Sequence, residues 1–247
     1  MGARISVLAF VSLICCSLSG CLFSDDEVEQ FDLDVVISAT TGVIVEKYVD
    51  GDLESTNYVE IEFNFTSTET ELKKIGVDPK DGSVPIELDG STNSSIVMKF
   101  TSHGKYNVSV YALSSDNNRQ SLTIPITVDL RIEWIENGTV DPKVLNFNPI
   151  PNNGGEHPQM IEVISTVTNP GFFEDFSGGQ SVQFSWTITD ELGDTCQKNS
   201  AVVNDGESET WETIHFNTYL IHDLGIVYED GQDRINVNHS LSLIYKS

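Results

Sequence analysis

Cysteine is almost missing where it could hold a fold together: Cys15, Cys16 and Cys21 crowd the N-terminus, and Cys196 stands alone beyond them. That excludes a disulfide framework, so the rest of the chain depends on apolar cores, with Cys196 expected as a small buried hydrophobe. Basic residues are scarce too, 13 Lys and Arg against 38 Asp and Glu, for a net charge of −25. Such a surface repels phosphate backbones and anionic headgroups, which excludes nucleic acid as a partner and direct docking on an anionic membrane. It suits a saline medium. No stretch sustains an apolar spacing of three to four residues, so no long helix is expected.

Catalytic motifs are also missing. The chain has no Gly-x-Ser-x-Gly elbow, no His-Glu-x-x-His, no glycine-rich phosphate loop and no Cys-x-x-Cys pair. The five histidines, His103, His157, His215, His222 and His239, are dispersed. His215 and His222 are seven apart, which points them to opposite faces if one strand carries both. His239 falls on an apolar face and reads as a core residue. A pair of carboxylates for glycoside hydrolysis would be an arbitrary choice among so many acids. The expectation is a protein that is not an enzyme and, calcium aside, needs no cofactor.

Against these absences stands the N-terminus. Met1 to Arg4 carries one positive charge, Ile5 to Ile14 is apolar, and Ser17 to Gly20 are mostly small, the three parts of an export signal. Leu18-Ser19-Gly20-Cys21 resembles the lipobox of prokaryotic, possibly archaeal, surface lipoproteins. The resemblance implies that Cys21 is lipidated on its thiol and becomes the first mature residue after cleavage. The membrane is then a partner through lipid on Cys21, and the rest of the chain lies on the outer face. The alternatives are an uncleaved transmembrane helix over Ile5 to Phe23 and an ordinary signal peptide. Residues 1–20 are thus read as signal peptide with lipobox and 21–30, ending in acidic and polar residues, as a short tether.

Downstream the dominant signal is alternation with period two. Val59, Ile61, Phe63 and Phe65 face one way, and Glu60, Glu62 and Asn64 the other. Leu122, Ile124, Ile126, Val128, Leu130, Ile132 and Trp134 continue the pattern with unusual persistence, and Pro125, which cannot donate to a ladder, argues for a sheet edge. About seven strands in about 100 residues, broken by Asp-Gly turns, predict an immunoglobulin-like sandwich over 31–135. Gly104-Lys-Tyr106-Asn-Val108-Ser-Val110 and the strand after it resemble the last two strands of a PKD domain, an immunoglobulin-like module of archaeal and bacterial surfaces. The Trp-x-Phe-Gly-Asp-Gly segment of that family has no counterpart here.

Asn, Pro and Gly then concentrate between Asn137 and Gly155, so 136–155 reads as a linker. Alternation resumes in Val182, Phe184, Trp186 and Ile188 and in Ile235, Val237, His239, Leu241, Leu243 and Tyr245, giving a second β-sandwich over 156–247. The predicted class is all-β, two tandem immunoglobulin-like β-sandwich domains after a signal and lipidation segment.

Several residues are candidates for sites. Asp190, Asp194, Asp230 and Asp233 lie in acidic turns that could offer oxygens to calcium, although Asp-Gly is also ordinary tight-turn chemistry. Asn64, Asn93, Asn107, Asn137 and Asn238 open Asn-x-Ser/Thr sequons, with 64, 107 and 238 placed outward and 93 and 137 in turns. Phe172, Phe173 and Phe176 form an aromatic cluster between glycines, read either as a contact loop or as a lid. Tyr58 and Tyr111 should point outward, while Trp134, Trp186 and Trp211 should pack inside. The functional expectation is a lipid-anchored extracytoplasmic binding, adhesion or spacer module facing an extracellular protein or glycan. The alternative is a solute-binding or enzyme-accessory lipoprotein with a ligand cleft between the domains near Asn148 to Gly155.

Overall fold

Period-two alternation becomes strand after strand. The computed structural model describes residues 31–171, 179–231 and 234–246. The signal and tether segments, Cys21, the Phe172, Phe173 and Phe176 cluster and Asp233 lie outside the described residues. Sixteen strands follow in chain order: β1 Asp34–Ile37, β2 Thr41–Val49, β3 Asp52–Asn57, β4 Val59–Thr66, β5 Leu72–Asp78, β6 Ile86–Asp89, β7 Ser95–Phe100 and β8 Gly104–Ser114. Then come β9 Arg119–Thr139, β10 Leu145–Phe147, β11 Met160–Thr168, β12 Val182–Asp190, β13 Thr195–Val203, β14 Ser208–His215, β15 His222–Asp230 and β16 Ile235–Ile244. The fold is all-β, of sandwich type. Among the described residues no helix is long and apolar enough to cross a membrane.

Two small sheets pack on one large one. A three-stranded sheet, β1-β4-β7, covers the first half, and a four-stranded sheet, β10-β15-β12-β13, covers the second. The nine-stranded sheet lies under both and runs β14-β11-β16-β9-β8-β5-β6, with β2 and β3 attached through β9. Phe63, Ile75, Val108 and Val128 belong to a core cluster that also takes in Leu145, Ile161, Leu224 and Leu243 of the second half. A second cluster gathers Val167, Val182, Phe184, Trp186, Ile226 and Val237.

Strand β9 explains how the halves share a sheet. Thr127 and Val128 pair with both β2 and β8, so those strands lie on opposite edges of β9. Leu130 to Ile135 pair with both β2 and β16, so β16 shares the edge of β8 and the two meet end to end. Pro125 falls where β8 is the partner on one side and β2, which begins opposite Thr127, has not yet started on the other. The edge inferred from proline is therefore real for the first part of the strand, whereas the second part is central. Residues 31–247 form one compact unit.

The segment 136–155, expected as a linker, holds the end of β9 and the whole of β10. It is pinned to its surroundings. Glu136, only 2% exposed, continues the apolar row of β9 and accepts from Trp134 Nε1 at 2.8 Å and from the Lys143 backbone N–H at 3.1 and 3.2 Å. Asn153 Nδ2 donates to the Lys105 carbonyl at 2.8 Å, and Lys105 pairs with Glu156 at 2.9 Å. Asn137 consequently sits in β9 rather than in a turn.

Candidate functional site

A cleft of about 290 Å³ opens where the halves meet. Strand β2 alternates, so Ile44, Glu46 and Tyr48 share one face, and all three line the cleft beside Leu130 and Ile132 of β9. The rest of the lining comes from Ser102 and His103, just before β8, and from Asn146, Asn148 and Asn152. Tyr48 stacks on Trp134 with centroids 5.5 Å apart and donates to Glu46 Oε2 at 3.1 Å. Burial, and then the Glu46 carboxylate, push the Tyr48 phenol up to about 12, so it remains a donor at any ordinary pH. His103 is bonded through Nδ1 to the Tyr245 hydroxyl at 2.8 Å, and burial holds its pKa below the ordinary value. Asn148 Oδ1 accepts from the Ile150 N–H at 2.9 Å, which shapes the wall. Amides, a hydroxyl, a phenol and a carboxylate thus face one small space, a set of donors and acceptors matched to a polar ligand.

The second constellation lies behind Phe147, which lines the cleft and also stacks on His222 with centroids 5.6 Å apart. His215 ends β14 and His222 begins β15, so the two are not on one strand, and the expectation of opposite faces does not apply. Their Nε2 atoms are 3.0 Å apart. Cys196 joins them, with the three ligand atoms all within 4.8 Å of one another. It is half-buried rather than a plain core hydrophobe. Its Sγ lies 3.8 Å from Asp190 Oδ2, and burial together with that carboxylate raises the thiol pKa. Burial and then His222 lower the pKa of His215.

The acidic turns are built as turns. Asp190 Oδ1 accepts from the Leu192 and Asp194 N–H groups at 3.0 and 3.1 Å, and Gly193 supplies the positive φ of 85°. Asp194 is exposed, and Asp230 Oδ1 accepts from the Gly231 N–H at 2.9 Å. Of the sequons, Asn93, Asn107, Asn137 and Asn238 are exposed and Asn64 is half-buried. Tyr58 is exposed, as expected, with Lys99 Nζ 4.2 Å from its ring centroid.

Tyr111 differs from expectation. It points outward yet is only 4% exposed, because its ring lies across Gly76 of β5, where a Cβ would meet it at 2.2 Å. Arg119 covers the ring at 3.9 Å, and the hydroxyl donates to Glu87 at 2.5 Å. Trp134 and Trp186 are buried, and Trp211 packs against both core clusters. Two further aromatics that the alternation does not mark reach solvent, Phe216 and Tyr219, 68% and 66% exposed, on the connection between β14 and β15. No alternation marks them, since they lie outside any strand.

No protein-family profile matches the chain, and no curated protein matches it. Among solved structures it is similar to a carbohydrate-binding module of the β-sandwich superfamily, at 13% identity, over 87% of this chain and 96% of that one, with a TM-score of 0.31. It is similar to fibronectin(III)-like modules of Clostridium thermocellum CbhA at 22% identity, over 38% of this chain and 94% of that one, TM-score 0.26. A third likeness is to Bacteroides ovatus SGBP-B of the mixed-linkage glucan utilization locus, at 8% identity, over 81% of this chain and 52% of that one, TM-score 0.20. Likeness at this level carries nothing about ligand or activity.

Proposed function

We propose that the chain is an exported, lipid-anchored binding or spacer module without a catalytic role, held at the outer face of a membrane by Cys21. The observation that supports it most is β9. Its 21 residues have a contour length of at most about 70 Å, and one strand that pairs with both halves leaves no hinge between them. A body without a hinge suits a surface module that presents a site away from a bilayer. The sequence supplies the tether, Cys21 followed by Ser24-Asp25-Asp26-Glu27. Lipid burial stabilises such an anchor by roughly 0.8 kcal/mol per CH₂.

The junction cleft favours a second reading within the same class, capture of a small polyhydroxylated ligand. Its amide and hydroxyl lining, with Tyr48 and Glu46 side by side, matches the hydrogen-bonding pattern of a sugar rather than of an apolar solute. The anchor is tested by Cys21→Ala followed by membrane fractionation of cells producing the full chain. The expected outcome is release of the variant into the soluble extracytoplasmic fraction. Retention of the full-length variant in the membrane would instead favour the uncleaved helix over Ile5 to Phe23.

A further inference from the structure

Three strands from both layers of the second sandwich converge at one end, and each contributes one soft or borderline ligand. Cys196 occupies a β-bulge. Strand β13 pairs with β12 as Ile188 with Gln197 and Thr189 with Thr195, which leaves Cys196 as the extra residue. A bulge re-aims the side chain it carries, and bulges gather beside functional sites. Here it breaks the alternation that would otherwise govern Cys196. The neighbouring Gln197 fixes the position by bridging sheets, donating to the Ile214 carbonyl at 3.0 Å and accepting from Thr213 Oγ1 at 2.8 Å. That bridge brings β13 against the end of β14, where His215 projects.

The hydrogen bonding does not account for the histidines. Two imidazoles facing through Nε2 share at most a single N–H···N bond. His222, 1% exposed, then has an Nδ1 with no partner in either tautomer. An ion placed between the two Nε2 atoms would replace that single bond by two metal–nitrogen bonds, while Nδ1 of His222 stays without a partner in both states.

We propose that Cys196, His215 and His222 form a site for a borderline-soft d¹⁰ cation, Zn²⁺ or Cu⁺, with Asp190 at its rim. Thiolate plus two imidazoles is the donor set such ions prefer, whereas calcium takes oxygens only. The geometry fits. Around tetrahedral Zn²⁺ two imidazole nitrogens stand about 3.4 Å apart, and nitrogen and thiolate about 3.6 Å. The Nε2 atoms stand at 3.0 Å and all three ligand atoms fall within 4.8 Å, so shifts well within side-chain rotation suffice. Asp190 places a carboxylate oxygen 3.8 Å from Sγ, where it can complete the shell or accept from a bound water. Binding releases the thiol proton to solvent, breaks the His215–His222 hydrogen bond with its proton passing to Nδ1 of the donor ring, and forms one metal–sulfur and two metal–nitrogen bonds in place of the ion's bonds to water. The site is distinct from the acidic-turn reading of Asp190, because its ligands are nitrogen and sulfur, and it is independent of the proposed surface role.

The test is a Co²⁺ titration of the chelator-treated full chain, read by absorption. One equivalent should produce the thiolate-to-cobalt charge-transfer band and the d–d bands of a tetrahedral site, and Zn²⁺ should bleach both. In Cys196→Ser the charge-transfer band should vanish. In His215→Gln the apparent affinity should fall more than about 10–100-fold, the range that loss of an outer-sphere partner alone produces. Cys196 is half-buried, His215 is buried at the end of β14, and each substitution keeps a polar side chain of similar size, so retention of the β-sheet circular dichroism is expected and separates lost ligands from lost folding. Zn²⁺ at 100 times its Kd should lower the unfolding equilibrium constant about 100-fold, and Ca²⁺ at the same concentration should not. Absence of the bands in the wild-type chain at millimolar Co²⁺, or an unchanged charge-transfer band in Cys196→Ser, overturns the site and leaves a histidine pair joined by one hydrogen bond.

Discussion

His239 shows how burial acts on a single group. It sits in β16 opposite Trp134, fully buried, with Nδ1 bonded to Ser165 Oγ at 2.7 Å, while Ser165 Oγ also accepts from Trp186 Nε1 at 2.7 Å. Its Nε2 has no partner. Burial pushes its pKa from 6.5 down to about 3. Between those values the unfolded chain takes up a proton that the folded chain refuses, so acidification favours unfolding. Stability from this group is fully present above pH 6.5 and falls toward pH 3 with a slope of up to about 1.4 kcal/mol per pH unit. Denaturant titrations at several pH values should show that slope as a difference between the chain and His239→Asn, which cannot titrate; parallel profiles would argue that the ring reaches water. The core reading of His239 was legible from its place in the apolar row of β16. Its partner Ser165 was not, because the two lie 74 positions apart and meet only through strand pairing.

At the scale of elements, β9 governs. Ile132 is buried, belongs to the large core cluster, lines the cleft, and pairs on one edge with β2 and on the other with β16. Ile132→Ala should cost about 2–5 kcal/mol. Because the strand is common to both halves, differential scanning calorimetry should show that cost as a downward shift of one transition. A transition that split, with one half melting early, would mean that the two sandwiches unfold separately. The persistence of alternation along β9 was visible in the residues themselves, and so was the edge at Pro125. That the strand runs on past residue 135 into the other half was obscured by Asn137-Gly138, which reads as a turn but continues the strand with Gly138 at a φ of 59°. The Gly138 N–H is taken up by Asn236 Oδ1 at 2.6 Å, a contact that only folding creates.

For residues 31–247 as a whole the consequence is continuity. A shared sheet and a pinned 136–155 segment leave no hinge between the halves, so small-angle scattering of the Cys21→Ala chain should give one well-defined maximum dimension. That dimension should not change when monosaccharides and short oligosaccharides are added. Contraction on adding a sugar would point to a closing cleft and to the solute-binding alternative. The strongly acidic surface, net −25, keeps such bodies apart and favours a monomer at low salt.

The sequence by itself determined the β class and the inward and outward faces of most strands. These depend on composition or on a two-residue period, and both are local. The order of strands, the joining of two sandwiches through β9, the cleft at their meeting and the gathering of Cys196, His215 and His222 were decided by tertiary structure. Each requires a pairing register between distant strands, and a single bulge at Cys196 was enough to redirect a side chain that alternation alone would have placed elsewhere.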